Sequence, residues 1–421
     1  MIPVSGTRLA LLAALAVCLV AGTAAQAQNL DSTGCTKVGP ASVCTTLNTA
    51  KISFSSTKPT TARIYTSFDK SYGLLVLDRR FKTTHSITIR SLTASTGYNI
   101  KLAVTPKTGK TAIYTGSFRT ADIGSVPATV TAGNGWLLLN GVRFFPIVGL
   151  TGACLKDSDK LVDKYVAMGT NILQDVASCD GNTDNWPDEL GPMLGNKSWV
   201  DARTVGPAQV KALQAVPQYL DWQAPARLLQ NPSSLLRCTG TLASSAPLYA
   251  AVKNESGKGI TMYMATLANH GTPTETPYCL DGTGMRNLFF TAVIANAQGL
   301  VYFPYIPVTG QLDVLDDVAK AAKASAQCMS TLGPAILNGT HLQLQTTSGS
   351  VKAAGWIYGG VTYIAAVNTE RTAVSSTISL LNPRSTTAQT ECEPSRTLKL
   401  VNGSLSDHFS PLAVHFYRVA P

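Results

Sequence analysis

Residues 147–174 read IVGLTGACLKDSDKLVDKYVAMGTNILQ, and this stretch decides the fold. Ile147-Val148-Gly149-Leu150 is a short apolar run of the kind buried strands show. Asp157 suits the N-cap of a helix over 158–168, because its carboxylate can accept the free amides of a first turn. Leu161, Val162, Tyr165, Val166 and Met168 recur at helical spacing. Gly169 supplies the residue type at which helices end. Asn171-Ile172-Leu173-Gln174 is the next strand. Strand, helix, strand in so short a span calls for a crossover, and a crossover calls for a parallel sheet.

The pattern extends both ways. Upstream, Trp136 to Pro146 (WLLLNGVRFFP) forms a hairpin around Asn140-Gly141. Downstream, Gly259 to Leu267 is an apolar strand. Met285, Leu288, Phe289, Ala292 and Val293 make one helix face, which Gly299 is expected to stop. Leu300-Val301-Tyr302-Phe303 is another strand, and an Ala-rich helix follows from about Gln311 to Leu332.

The flanks change period. Residues 41–121 alternate polar and apolar with period two, at 50–54, 62–65, 86–89, 98–104 and 112–118, as half-buried strands do. Short strands at this spacing suggest a β-sandwich. Residues 122–131 (DIGSVPATVT) read as a linker. Residues 341–420 are β-rich again, with a Gly359-Gly360 turn between two strands.

Composition bounds the rest. The chain has 421 residues, too many for one ordinary domain, and only 14% are charged, which excludes charge-driven disorder. Arg8, the apolar run Leu9 to Val20, and Ala25-Gln26-Ala27 form a secretory signal peptide over 1–27, with a mature start at Gln28. No later run reaches the ~18 apolar residues of a membrane span. Loss of Arg8 takes the formal charge from +10 to +9. Lys and Arg are scattered, so nucleic acid is not an expected partner. Eight Cys remain after cleavage, an even number in an exported chain, which suggests disulfides. Pairing by proximity gives 35–44, 154–179, 238–279 and 328–392. There is no C-x-x-C and little His, so neither a metal nor another cofactor is expected. Asn196, Asn254, Asn338 and Asn402 open glycosylation sequons.

Two resemblances arise from these residues. Leu92 to Tyr98 (LTASTGY) and the closing Gly116 to Thr120 (GSFRT) resemble a fibronectin type III domain. LLLNGVRFFPIVGL, LVDKYVAMGTNIL and MRNLFFTAVIANAQGLVYFPY resemble, in order, the opening hairpin, the first helix and strand, and the penultimate helix and last strand of a TIM-barrel glycosidase. The C-terminal segment is similar to the small sandwich beside many such barrels. The resemblance implies a multidomain chain: sandwich at 41–121, (β/α)8-type barrel at 132–336, sandwich at 341–420. The barrel is short for a fold that takes roughly 200 residues at the least. Residues 180–255 show no βα alternation, so a degenerate barrel is the other form it can take.

Glycoside hydrolysis needs two carboxylates across the scissile bond, at the C-terminal ends of strands in a barrel. The strand at 259–267 holds no acid. Asp175, after the second barrel strand, and Glu275, in the loop beyond the seventh, are the candidate acid and nucleophile. Each is also readable as a loop or cap residue, as are Asp188-Glu189 and Asp221. Gln174, Trp186, Asn269, His270, Tyr302 and Tyr305 form a candidate glycan rim, since pyranose faces stack on aromatic rings. No G-x-S-x-G, P-loop, G-x-G-x-x-G or H-E-x-x-H is present. The expected protein is secreted, glycoside-hydrolase-like and directed at an extracellular or cell-surface polysaccharide. The alternatives are a non-catalytic carbohydrate-binding or adhesion protein on a degenerate barrel, and a purely structural surface protein.

Overall fold

The computed structural model describes residues 35–122, 130–133, 136–151, 165, 167–175, 199–200, 262–266, 281–303, 316–380 and 385–421. The signal segment and most of 176–261 lie outside them.

Six strands open the chain: β1 (Thr36–Val38), β2 (Ala41–Thr45), β3 (Thr49–Ser67), β4 (Leu74–Arg90), β5 (Gly97–Pro106) and β6 (Ala112–Arg119). The runs at 50–54 and 62–65, expected as separate strands, are two halves of β3. The first half pairs with β2 and the end of β4, the second with β5 and the start of β4. Register shifts between Ser55 and Ala62 mark the bend, around Lys58-Pro59. Ala50, Ile52, Phe54, Ile64, Leu102 and Phe118 are buried in one core. At the bend His85 is fully buried and stacks on Phe54. Its Nδ1 lies 2.9 Å from Asp78 Oδ2 and its Nε2 2.9 Å from Thr60 Oγ1. Burial pushes the Asp78 carboxyl up, but hydrogen bonds from Lys82 and His85 outweigh it and hold it below its usual range.

Tyr98 opens β5 and is buried, which pushes its hydroxyl up to about 12. The hydroxyl accepts from Thr93 N at 2.9 Å, the geometry of a tyrosine corner. It also donates to Ser330 O at 3.3 Å. Ser330 lies four residues before Pro334, which sits inside a helix and has no N–H to offer that carbonyl. Tyr98 therefore supplies the donor that proline removes. Tyr98→Phe is expected to cost about 1–2 kcal/mol in urea unfolding, more than a surface hydroxyl would, because a buried hydroxyl loses two hydrogen bonds to part-buried backbone groups.

A three-stranded sheet follows: β7 (Val130–Gly133), β8 (Trp136–Leu139) and β9 (Val142–Arg143). The expected linker thus ends early, because Val130 and Thr131 pair with Leu139 and Leu138. Asn140 and Gly141 have φ of 49° and 77°, as a two-residue Asn-Gly hairpin requires. Arg143 Nη1 donates to Leu337 O at 2.8 Å.

Five strands form a wholly parallel sheet: β10 (Ile147–Thr151), β11 (Ile172–Asp175), β12 (Trp199–Val200), β13 (Met262–Thr266) and β14 (Gly299–Phe303). Their order is β12-β11-β10-β14-β13, so the first of the described parallel strands lies beside the last of them. Tyr165 and Ala167 are helical, and Gly169 (φ +84°) ends that turn, with Thr170 N donating to Tyr165 O. Between β13 and β14 runs α1 (Gly282–Ile294), capped by Asp281, whose side chain accepts from Gly284 N at 2.7 Å. Asn296 (φ 64°), not Gly299, takes the left-handed position after α1. Gly299 opens β14 instead. The second helix, α2 (Asp316–Asn338), ends later than the expected Leu332, and the expected start at Gln311 lies outside the described residues.

Nine strands close the chain: β15 (Thr340–Gln343), β16 (Gln345–Thr346), β17 (Val351–Tyr358), β18 (Val361–Asn368), β19 (Val374–Ser379), β20 (Thr387–Glu391), β21 (Thr397–Val401), β22 (Ser404–Phe409) and β23 (Val414–Val419). β15 and β16 sit at opposite ends of the sheet order with only Leu344 between them. The sheet therefore wraps over a core of Leu344, Val351, Ile364, Ile378, Leu405, Phe409 and Tyr417. The Gly359-Gly360 turn has φ of 56° and 78°, as the sequence suggests.

The other face of β18 joins a second, larger core. Tyr363, Ala365 and Val367 pack there with residues of the first sheet, the parallel strands and both helices. Tyr363 OH accepts from Leu75 N (2.7 Å) and donates to Leu75 O (3.0 Å). Arg418 Nη1 donates to Tyr72 O (2.8 Å), and its Nε lies 3.1 Å from Glu391 Oε1. Asn287 of α1 donates to Asn368 O and Leu412 O. Among the described residues there are two disulfides, Cys35–Cys44 and Cys328–Cys392, both as proximity suggested. Cys154, Cys179, Cys238 and Cys279 lie outside the described residues.

Candidate functional site

The C-terminal edge of a parallel sheet is where an α/β fold exposes strand ends free of crossover helices. Here that edge carries Thr151, Asp175, Val200, Thr266 and Phe303. Asp175 is the last residue of β11 and pairs in register with Thr151; Gln174 pairs with Leu150. Both were expected at this edge, and the backbone sets them there. Among the five described parallel strands, Asp175 is the one acid: β13 reads MYMAT and β14 reads GLVYF.

Tyr302 lies two strands from Asp175, opposite Gly149 and Ala265. Expected on a rim, it is 0% exposed and packs in the larger core that also holds Leu300, Met285 and Phe289. A rim residue must reach solvent, and this ring does not. Burial pushes its hydroxyl far up, and the hydroxyl has no hydrogen-bond partner among the described residues. Glu275, Trp186, Asn269, His270 and Tyr305 lie outside the described residues.

At the opposite edge of the sheet a cleft of about 500 Å³ opens beside α2 and the first sheet, lined by Leu92, Phe144, Asn171, Lys323 and Met329 among others. In barrels that end serves stability rather than chemistry.

One polar cluster escapes sequence reasoning, because its members are far apart in the chain. Arg396 forks onto Asp407 with two bonds of 3.0 Å. Asp407 Oδ2 also accepts from Tyr417 OH (2.8 Å) and lies 2.9 Å from His415 Nδ1. Burial pushes Asp407 up, but the bonds from Arg396, Tyr417 and the His408 amide outweigh it and hold the carboxyl low. Burial pushes Glu393 up to about 7, against the pull of Arg396 and Arg286. Burial also holds the His415 imidazolium below its usual range. The network joins the C-terminal sheet to α1 through Arg286, which donates to Cys392 O. Its charges are spent on one another, which suits an anchor. Among the described residues no group of three His, Cys, Asp or Glu is spaced to hold a metal ion. No described helix is long and apolar enough to cross a membrane.

No protein-family model matches the chain, and no curated protein matches its sequence significantly. Among solved structures it is similar to an Anoxybacillus alpha-amylase (11% identity, TM-score 0.31), covering 42% of each chain. It is also similar to a GH30 endoxylanase from Clostridium papyrosolvens (12%, TM-score 0.35), covering 70% of this chain and 100% of that one. A putative alpha-galactosidase/melibiase from Bacteroides fragilis is similar at 9% identity and a TM-score of 0.35, over 89% and 95% of the two chains. The chain thus spans less than half the length of the amylase.

Proposed function

We propose that the chain is an exported, glycoside-hydrolase-like protein acting on an extracellular or cell-surface polysaccharide. One observation carries this reading: five described parallel strands in the order β12-β11-β10-β14-β13, the first of them beside the last, with an acid ending the strand after the first. That adjacency is what closing a ring of strands requires, and strand-end acids are where barrel enzymes keep their chemistry. Asp175 would donate a proton to the leaving oxygen, and Glu275 would attack the anomeric carbon. Gln174, Trp186, Asn269, His270 and Tyr305 would hold the sugar. The proposed organisation is a signal segment at 1–27, a fibronectin type III-like sandwich at 41–121, a barrel from 132, and a C-terminal sandwich to 420. The barrel is proposed to end at 336 and the sandwich to begin at 341; α2, continuing to Asn338, runs into that interval. Two disulfides support an oxidising, extracellular location.

Asp175→Asn and Glu275→Gln are each expected to lower reducing-sugar release by about a hundredfold or more, with glycan binding retained. A double variant that still cleaves at the unsubstituted rate removes the assignment.

A second reading has its own support. The absence of any acid on β13 favours a binding protein on a degenerate barrel. A glycan array compared with reducing-sugar release separates the two: binding without release selects the second.

A further inference from the structure

The net positive charge of this chain resides in one part of it. Residues 35–122 hold 13 of the 34 Lys and Arg but only 3 of the 24 Asp and Glu. Their formal charge of +10 equals that of the whole chain, so the other residues are neutral in sum. Within the first sheet the bases are concentrated further. Thr60 pairs with Lys82 on one side and with Pro106 on the other. This brings the β3 bend, the β4 bend and the β5–β6 turn to one end. That end carries Lys58, Arg79, Arg80, Lys82, Lys107 and Lys110, all exposed but the half-buried Lys82; the Arg79 guanidinium donates to Gly360 O at 3.1 Å. One acid stands among them, Asp78, and it is already bonded to Lys82 and His85. Phe81, between Arg80 and Lys82, is 51% exposed.

Like charges so crowded repel one another and weaken the fold. Among the described residues, Lys82 alone of the six takes part in an ion pair. An exposed ring beside them adds an apolar plate that water does not favour. We propose that this end of the first sheet is a docking surface for an acidic polysaccharide of the polyuronate class. Its carboxylates would meet the bases, and the apolar face of one sugar ring would stack on Phe81. Charge complementarity selects a polyanion. The two disulfides place the chain where nucleic acid is not the standing polyanion. A bilayer would call for a continuous apolar face, and the exposed apolar side chains near this end are Phe81 and Ile113. The surface is independent of any hydrolysis at the parallel sheet: a chain that cleaves nothing still binds.

The test uses the full chain and soluble polygalacturonate at 50 mM and 500 mM NaCl, with dextran, a DNA duplex and phosphatidylglycerol vesicles as comparators. Binding to polygalacturonate is expected at low salt, with none to dextran, and a fall at high salt. The triple variant R80E/K107E/K110E is expected to lose at least about tenfold in affinity. The neutral triple R80Q/K107Q/K110Q should fall between it and the parent. Phe81→Ala should lose about threefold. The triple K320E/K323E/K399E changes the same charge at exposed sites elsewhere, and should stay within about twofold of the parent. Equal loss in both reversed triples overturns the proposal, as does no loss in the first. Tighter binding to DNA or to vesicles, or equal binding to dextran, overturns it too.

Discussion

Arg418→Met is expected to destabilise the protein by about 3–5 kcal/mol at pH 7, the cost of breaking a buried ion pair by removing one partner. Arg418 and Glu391 have side chains 9% and 4% exposed. The guanidinium also donates to Tyr72 O and to Gln389, so its loss orphans a backbone carbonyl as well as a carboxylate. Glu391 abuts Gly73 closely: a Cβ there would lie 2.7 Å from its Oε2. Burial pushes Glu391 up to about 7, with Arg418 pulling the other way. An acid whose folded pKa exceeds its unfolded one binds its proton more tightly when folded. Its contribution to stability is therefore present at low pH and lost as pH rises through about 7. Without Arg418 the carboxyl moves higher still, so the deficit of the variant should shrink between pH 7 and pH 5. Urea unfolding at both values checks this. Adding Glu391→Leu should recover most of the loss. A deficit that grows on acidification would refute the account.

Cys328→Ser with Cys392→Ser should cost about 4 kcal/mol, the chain entropy released when a loop of this size is opened. The pair is 64 residues apart and ties α2 to the corner between β20 and β21. Cys392 has φ of 58°, a left-handed position that a non-glycine residue rarely holds unaided. The same corner is held by Arg286, which donates to Cys392 O. Opening the Cys35–Cys44 loop, 9 residues, should cost less, roughly 3 kcal/mol. Thermal melts of both double variants, beside the parent in dithiothreitol, give the order.

What the sequence makes legible here is local chemistry. Asn140-Gly141, Gly169 and Gly359-Gly360 read correctly because positive φ is a property of single residues. The order of β10, β11, α1 and β14 was readable from period alone. β3 was not, because Lys58-Pro59 looks like a break and only pairing on both flanks carries the strand through it. The end of α2 was hidden for a related reason. Pro334 lies inside the helix, and the Ser330 carbonyl it leaves without an amide is met by a hydroxyl from a distant strand. At the candidate site, Asp175 was legible as the end of an apolar run. Tyr302 could be read either as rim or as barrel packing, since alternation assigns faces but not which face meets a helix, and its burial decides for packing. The Asp407 network needs two strands, the loop between β20 and β21 and a helix to assemble, so no window of sequence holds it.

The helix α2 has neighbours on several sides. Ser330, Thr331 and Asn338 bond Tyr98, Phe68 and Ser91 of the opening sheet, while Cys328 is tied to the closing one. Gly339 alone separates the helix from β15. A protease nick between the opening sheet and the rest would therefore not release a free bead. Evolution could not shuffle that sheet into another chain without carrying along a matching ledge for its tyrosine corner.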